Sequence, residues 1–171
     1  MSKIKLAVMT TVLILAVTIV AGATYRVEGP AQSLDPRAFP NLTQIYVASG
    51  VTDNNAAAQL GVATSIHCTN WTAATQQLRF LIRNFDGGIK SNTTQPLVSL
   101  GTFTASTHYT AAYVENAHLS PFQGISQGSL RIFATAAQIT CTAQVIDASS
   151  ITPLGVPLHL VRHNAWPGSQ E

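Results

Sequence analysis

Two cysteines and a few histidines are the residues of this sequence whose types could support chemistry. Cys68 follows His67 in "SIHCTN", and Cys141 lies in "QITCTAQVI". On a β-strand successive side chains point to opposite faces, so Cys68 shares an apolar face with Ile66, and Cys141 shares one with Ile139. His67 points the other way and cannot form a site with Cys68 within a strand. We expect a surface His67 whose replacement costs under about 0.5 kcal/mol.

Two inward cysteines predict a disulfide bond if the chain is exported to an oxidising compartment. Cys68 and Cys141 are 73 residues apart. On the chain-entropy account, closing a loop of this length stabilises the fold by about 4 kcal/mol. The alternative is a redox or metal-binding thiolate. The sequence argues against it, because there is no C-x-x-C spacing and no histidine near Cys141.

The C-terminal histidines have a spacing that suggests zinc. His159 and His163 are four residues apart in "LHLVRH", but Pro157 and the alternating leucines predict a strand there. On a strand the two histidines lie about 13 Å apart, too far to chelate one ion unaided. A blue-copper site is disfavoured too, because no methionine follows Met9 and no histidine follows Cys141 closely. The sequence predicts neither a metal site nor a cofactor.

Hydrolytic catalysis would need a nucleophile, a base and an orienting acid. His108 with Glu115 would supply the last two, but polar loop and strand-edge residues explain them better, and no G-x-S-x-G is present. In "LRFLIR" the alternation puts Arg79, Leu81 and Arg83 on one outward face. They form a possible binding ridge, with a solvated face held by salt links as the alternative.

The N-terminus predicts export. Lys3 and Lys5 precede the mostly apolar run 6–20, and "AGA" (21–23) provides a small-residue cleavage site before Thr24. These features are typical of a secretory signal peptide. The alternative is an uncleaved membrane anchor of marginal length. In both cases the remainder is exported and is expected to be periplasmic or extracellular.

Composition narrows the possible partners. The chain has 171 residues with 9 Lys and Arg against 7 Asp and Glu, and two of the lysines lie in the predicted signal peptide. The mature chain is therefore close to neutral, which gives no support for binding nucleic acid or an anionic membrane surface. Charged residues make up 9% of the chain, against about 25% in typical domains. Its polarity comes from Thr, Ser, Asn and Gln, and the abundant Thr favours β-structure.

Short alternating segments separated by turns predict an all-β fold, an antiparallel β-sandwich of about eight strands preceded by a signal helix. We interpret residues 24–44 as a proline-containing leader or linker and 45–171 as a single domain. Residues 54–61 are the best helical candidate, for one turn. The predicted strands are 45–51, 61–70, 76–85, 96–106, 109–116, 129–136, 137–147 and 155–163.

Cysteines on an early and a late strand resemble those of immunoglobulin-like sandwiches, in which such strands are clamped across two sheets. The chain departs from that pattern because 76–85 contains no tryptophan and Ile139 stands two residues before Cys141. The stretches 46–51, 61–70 and 79–87 ("YVASGV", "GVATSIHCTN" and "RFLIRNFDG") are similar to uncharacterised exported bacterial proteins of this size. That resemblance implies no known activity.

The sequence therefore predicts a non-enzymatic exported β-sandwich, a binding module or a subunit of a surface or periplasmic assembly. Its expected partners are other envelope or surface proteins, with no membrane contact after signal cleavage. The alternative is a small periplasmic enzyme or metal-binding protein that uses surface histidines: His67, His108, His118 or the C-terminal pair.

Overall fold

The computed structural model describes residues 42–120 and 123–163, which form β-strands and connecting loops without a helix. The all-β prediction is confirmed for this part of the chain. The predicted signal helix in 1–23 and most of the leader lie outside the described residues. No helix in the described ranges is long and apolar enough to cross a membrane. The strands are β1 Thr43–Asp53, β2 Val62–Asn70, β3 Gln76–Arg83, β4 Ile89–Leu97, β5 Thr102–Ser106, β6 Ala117–His118, β7 Ile125–Ala134, β8 Ile139–Asp147, β9 Gly155–Leu158 and β10 Val161–Arg162.

These strands form two sheets that pack together as a sandwich. The first sheet has the order β10-β1-β7-β3-β4, and the second has the order β6-β5-β2-β8-β9. All neighbouring strands are antiparallel except β5 and β6, which run parallel. The antiparallel sandwich predicted from the alternation is therefore present.

The core lies between the two inner faces, because each strand alternates an inward apolar side chain with an outward one. Phe80 of β3 and Phe103 of β5 come from different sheets, and their rings stack with centroids 6.0 Å apart. Ile66 of β2 and Ile132 of β7 are completely buried. Burying a side chain of this size contributes about 1.5–3 kcal/mol each, so the inner faces supply the main drive for folding.

The disulfide between Cys68 and Cys141 is present, as predicted, and both residues point into the core. It joins an early strand to a late one, but β2 and β8 are neighbours in the second sheet, and the two cysteines are paired directly across the ladder. Their Cα atoms are 4.1 Å apart. The prediction of an immunoglobulin-like clamp that joins two sheets is therefore wrong. The bridge instead fixes the register of one strand pair.

Three strand predictions are wrong. Residues 96–106 are split between β4 and β5 by a turn in which Gly101 N–H donates to the Val98 carbonyl. Residues 109–116 form a loop, because their backbone groups bond to other segments and do not extend a sheet. Residues 155–163 give two short strands in different sheets, with a break at 159–160. His159 and His163 consequently do not share one face of one strand.

Candidate functional site

The outer face of the second sheet presents polar side chains from three adjacent strands. On β2, β5 and β8 the outward positions alternate with buried core positions, and adjacent strands bring them into rows. A loop over residues 107–116, named here the covering loop, lies on part of this face. The face therefore has a covered half beneath the loop and an open half beyond it.

In the covered half, side chains that the strand alternation directs outward are nevertheless buried. Ala63, Ser65 and Ser106 are completely buried, and Ile146 is 2% exposed. Backbone bonds fasten the covering loop over them, including Thr107 N–H to Thr64 O at 2.9 Å and Ala111 N–H to Ala148 O at 2.8 Å. The covering loop therefore acts as a third layer on this part of the sandwich.

Glu115 is the principal polar anchor of the covering loop. Its side chain is only 4% exposed, and its Oε1 accepts hydrogen bonds from Ser106 Oγ at 2.8 Å, from Thr110 N–H at 2.9 Å and from the Thr110 hydroxyl. Burial by itself would raise the pKa of this carboxyl. The hydrogen bonds from Thr110 and Ser106 outweigh that effect and hold the pKa of Glu115 below its usual value. Glu115 is thus a buried carboxylate that fastens the loop to β5.

His118 lies beside the second oxygen of that carboxylate. Its Nε2 is 3.7 Å from Glu115 Oε2, and the Tyr109 ring lies against the imidazole with centroids 3.5 Å apart. His108 and Glu115, the base and acid considered for hydrolytic catalysis, do not pair, because His108 bonds to Asp53. The structure pairs Glu115 with His118 instead, because β6 brings His118 alongside Ser106.

His67 occupies the boundary between the two halves. Its Nδ1 lies 3.1 Å from Thr104 Oγ1, its Nε2 lies 3.3 Å from Ser65 Oγ, and the Tyr113 ring packs against its edge at 4.5 Å between centroids. Burial lowers the pKa of His67, and the charge of Glu115 only partly opposes this, so the ring favours its neutral form. His67 points outward as predicted, but it is half-buried and bonded rather than a surface residue.

His108 forms a separate buried pair with Asp53. His108 Nδ1 lies 2.8 Å from Asp53 Oδ2, and His108 Nε2 lies 3.1 Å from the Leu60 carbonyl oxygen. Asp53 Oδ1 accepts from Asn55 N–H at 2.7 Å. The pair fixes the end of β1 to the start of the covering loop. Because both ring nitrogens are engaged within the protein, the arrangement holds the fold together and leaves no nitrogen directed at a substrate.

The open half presents hydroxyl groups in two rows. Thr69 of β2 lies between Thr102 of β5 and Thr140 of β8, and its hydroxyl is 2.9 Å from that of Thr102. In the next row His67 lies between Thr104 and Thr142. Thr102, Thr140 and Thr142 are exposed, and Thr69 and Thr104 are partly exposed. This half is polar and carries no charged side chain at these six positions.

An apolar surface borders the open half at the loops that follow β2 and β4. Trp71, Val98 and Leu100 are 57%, 59% and 68% exposed. The Trp71 indole N–H donates to Thr140 Oγ1 at 2.9 Å, and Leu100 N–H donates to the Thr72 carbonyl at 3.2 Å. The first bond fixes the Trp71 ring to β8, and the second joins the two loops. We name Trp71, Val98 and Leu100 the loop-end surface.

The backbone of Leu100 is held in the left-handed region, with φ 53°. A leucine there costs roughly 1–2 kcal/mol, because its Cβ crowds the following carbonyl oxygen. Asn70 secures this loop by donating from Nδ2 to the Val98 carbonyl oxygen at 3.0 Å. Leu100 therefore presents an exposed apolar side chain at a backbone position that favours glycine or asparagine.

The possible binding ridge on β3 lies on the outer face of the first sheet. Leu81 is 2% exposed and Arg79 is 6% exposed, while Arg83 is partly buried. Arg79 Nε donates to Asn92 Oδ1 at 2.7 Å, and Arg83 Nη1 donates to the Gly87 carbonyl at 2.7 Å. The three residues do share a face, as predicted, but the two arginines bond within the protein and Leu81 presents no surface. A binding role for them stays a prediction.

The remaining histidines do not converge. His159 and His163 are exposed near the C-terminal strands, and His163 N–H donates to the Ile45 carbonyl at 2.9 Å. Within residues 42–120 and 123–163, no three His, Cys, Asp or Glu side chains are grouped so that they could hold a metal ion. The expectation that the purified protein binds no stoichiometric zinc or copper stays a prediction.

Sequence reasoning missed Asp53 and Trp71. Asp53 ends β1 and is buried against His108, 55 residues away along the sequence. No local pattern reveals such a pair. Trp71 had a usable signal, because it directly follows an alternating strand in a segment of Thr, Ala and Asn. A large aromatic residue at the end of a polar strand indicates either a core anchor or an exposed contact.

In the comparison with known proteins, no family model, curated protein or solved structure matches the chain.

Proposed function

We propose that this protein is a non-enzymatic exported binding module, which contacts a component of the cell envelope or surface through the loop-end surface and the open half beside it. The N-terminal sequence supports export through a cleaved signal peptide. The disulfide is the bond expected of a protein that folds in an oxidising compartment. Periplasmic and extracellular locations both satisfy this proposal.

The observation that carries the proposal is the exposure of Trp71, Val98 and Leu100 on loops that hydrogen bonds hold in place. Apolar side chains gathered on a surface mark contact sites more often than scattered ones. Fixed loops lose little conformational entropy on binding, so their contacts contribute more to affinity. Strain at Leu100 lowers the stability of the fold, which is consistent with a side chain kept for contact.

The test uses the exported chain, prepared as wild type and as Leu100→Asn. Asparagine tolerates positive φ better than leucine, so the variant relieves strain while it replaces the apolar side chain with a polar one. We expect Leu100→Asn to retain the stability of the wild type but to lose about tenfold in co-sedimentation with the envelope fraction of the producing cell.

Val114→Ser is the matched control, because Val114 is 95% exposed on the covering loop. It should co-sediment as the wild type does. Equal co-sedimentation of all three proteins, or no co-sedimentation of the wild type, would contradict the proposed function. Uptake of one zinc or copper ion per chain would favour the histidine-based alternative instead.

A further inference from the structure

The open half contains a regular array of hydrogen-bonding groups. The two rows cross β5, β2 and β8, and the register places His67 and Thr69 in the middle strand. Neighbouring strands are about 4.8 Å apart, and positions two residues apart along a strand are separated by about 7 Å. Hydroxyl groups are both donors and acceptors, so the array can bond to a ligand that presents both.

An aromatic ring lies at each end of this array, and both rings are anchored on the outward face of β8. The Trp71 indole N–H bonds to Thr140, and Gln144 Nε2 donates to the Tyr113 hydroxyl at 2.6 Å. Thr140 and Gln144 are four residues apart, which is about 13 Å along a strand. The rings are thus held at opposite ends of a polar surface, and hydrogen bonds fix their polar edges.

Electrostatics exclude several ligand classes. The outward positions of β5, β2 and β8 hold no Lys, Arg, Asp or Glu. The neighbouring carboxylate, Glu115, is buried and accepts hydrogen bonds from Ser106 and Thr110. The lowered pKa of His67 favours a neutral ring at the edge of the array. Phosphate, nucleic acid or a charged peptide would find no opposite charge here.

We propose that the open half binds a neutral saccharide chain of β-linked pyranose rings, which lies across the threonine array between Trp71 and Tyr113. A β-1,4-linked chain is extended and flat, so it can lie along the face of a sheet, whereas an α-1,4-linked chain coils. Each of its rings holds hydroxyl groups around the edge and C–H bonds above and below. Their hydroxyls match the threonine array, and their apolar faces match aromatic rings. The inference rests on the proposed binding function and names its ligand class.

The test is calorimetric titration of the exported chain with cellohexaose and with chitohexaose, using maltohexaose as the α-linked control. We expect saturable binding of at least one β-linked probe below about 1 mM and at least tenfold weaker binding of maltohexaose. A Trp166→Phe form leaves Trp71 as the only tryptophan. The Trp71 fluorescence of this form should change with saccharide concentration at the same midpoint as the calorimetric titration.

Two matched substitutions locate the site. Thr142→Val removes one hydroxyl of the array with little change of shape, and we expect about fivefold weaker binding. Thr94→Val, at an exposed position on β4 of the other sheet, should leave affinity unchanged. Trp71→Ala should abolish measurable binding, and Trp71→Phe should restore part of it because the ring is kept.

The inference is overturned if neither β-linked probe binds, if Thr142→Val binds as tightly as the wild type, or if neutral phospholipid vesicles bind in place of the sugars. Envelope co-sedimentation separates this failure from that of the proposed function. If co-sedimentation remains sensitive to Leu100→Asn while no saccharide binds, the ligand class is wrong and the binding module stands. If the wild type neither co-sediments with the envelope fraction nor binds a saccharide, the proposed function and the ligand class are both wrong.

Discussion

The covered and open halves of the second sheet's outer face are built from the same three strands, yet they use polar residues in opposite ways. In the covered half the Glu115 carboxylate accepts from the hydroxyls of Ser106 and Thr110, and Tyr113 accepts from Gln144, so polar groups fasten the covering loop to the sheet. In the open half, Thr102, Thr140 and Thr142 remain exposed beside Trp71. These contacts stabilise the covered half, and we propose that the open half serves binding.

The largest loss of stability is expected from a substitution in the Asp53–His108 pair, which lies where the covering loop begins. Asp53→Ala should lower the free energy of unfolding by about 3–5 kcal/mol, because it leaves the buried His108 without its partner. Asp86→Ala, in an exposed turn, is the control and should cost far less. Urea denaturation followed by circular dichroism measures both. A loss below about 1 kcal/mol for Asp53→Ala would mean that the pair does not anchor the covered half.

Removing the disulfide should give the second-largest loss of stability, since the bridge fixes the register of β2 and β8 beneath both halves. Cys68→Ala should cost about 2–5 kcal/mol, as for native bridges of small secreted domains. Thiol titration of the exported protein, with and without reductant, should find no free thiol until reductant is added. Two free thiols in the native protein would show that the bridge does not form.

Glu115→Gln should weaken the covered half by about 1–3 kcal/mol near neutral pH, because the charged acceptor of three hydrogen bonds is lost. The pKa of Glu115 is lowered from 4.5 in the folded state. Its contribution is therefore fully present above pH 4.5 and is lost as pH falls through the folded pKa. Urea denaturation at neutral and acid pH should show the difference between variant and wild type shrinking in acid. A difference independent of pH would contradict this role.

His67, at the boundary, should give the smallest effect on stability. We expect His67→Ala to cost about 1 kcal/mol, because the contacts with Ser65, Thr104 and Tyr113 are lost. That exceeds the 0.5 kcal/mol expected of a surface residue. The pKa of His67 is lowered from 6.5, so the unfolded chain binds a proton more readily. The wild type should lose stability as pH falls below 6.5, and the variant should lose less. NMR titration of the His67 ring measures its pKa, and urea denaturation at each pH measures the stability of the wild type and the variant.

The difference between the halves also explains which features the sequence could predict. Period-two alternation located β1, β2, β3 and β8 closely and put both cysteines inward, because these strands pack one apolar face on the core. It missed β4, whose segment "IKSNTTQPL" lies at a sheet edge and has little apolar alternation. It read "YTAAYVEN" as a strand because the segment alternates. Hydrogen bonds that Glu115 accepts from Ser106 and that Tyr113 accepts from Gln144 hold that segment as a loop.

The candidate site was only partly predictable for the same physical reason. The outward direction of His67 followed from the strand alone. The burial of His67 depends on Tyr113, and the position of Trp71 depends on Thr140, 69 residues away. Such contacts are set by tertiary packing, which no local pattern reports.

The most direct test of the separation between halves is a two-dimensional ¹H–¹⁵N NMR titration of the exported chain with cellohexaose and chitohexaose. The account predicts shifts at the backbone amides of Thr69, Thr102, Thr140 and Thr142 and at the Trp71 indole N–H. Amides near the buried Asp53–His108 pair should stay unchanged. Shifts confined to the covering loop or to β9, with the threonine array unaffected, would contradict the assignment of binding to the open half.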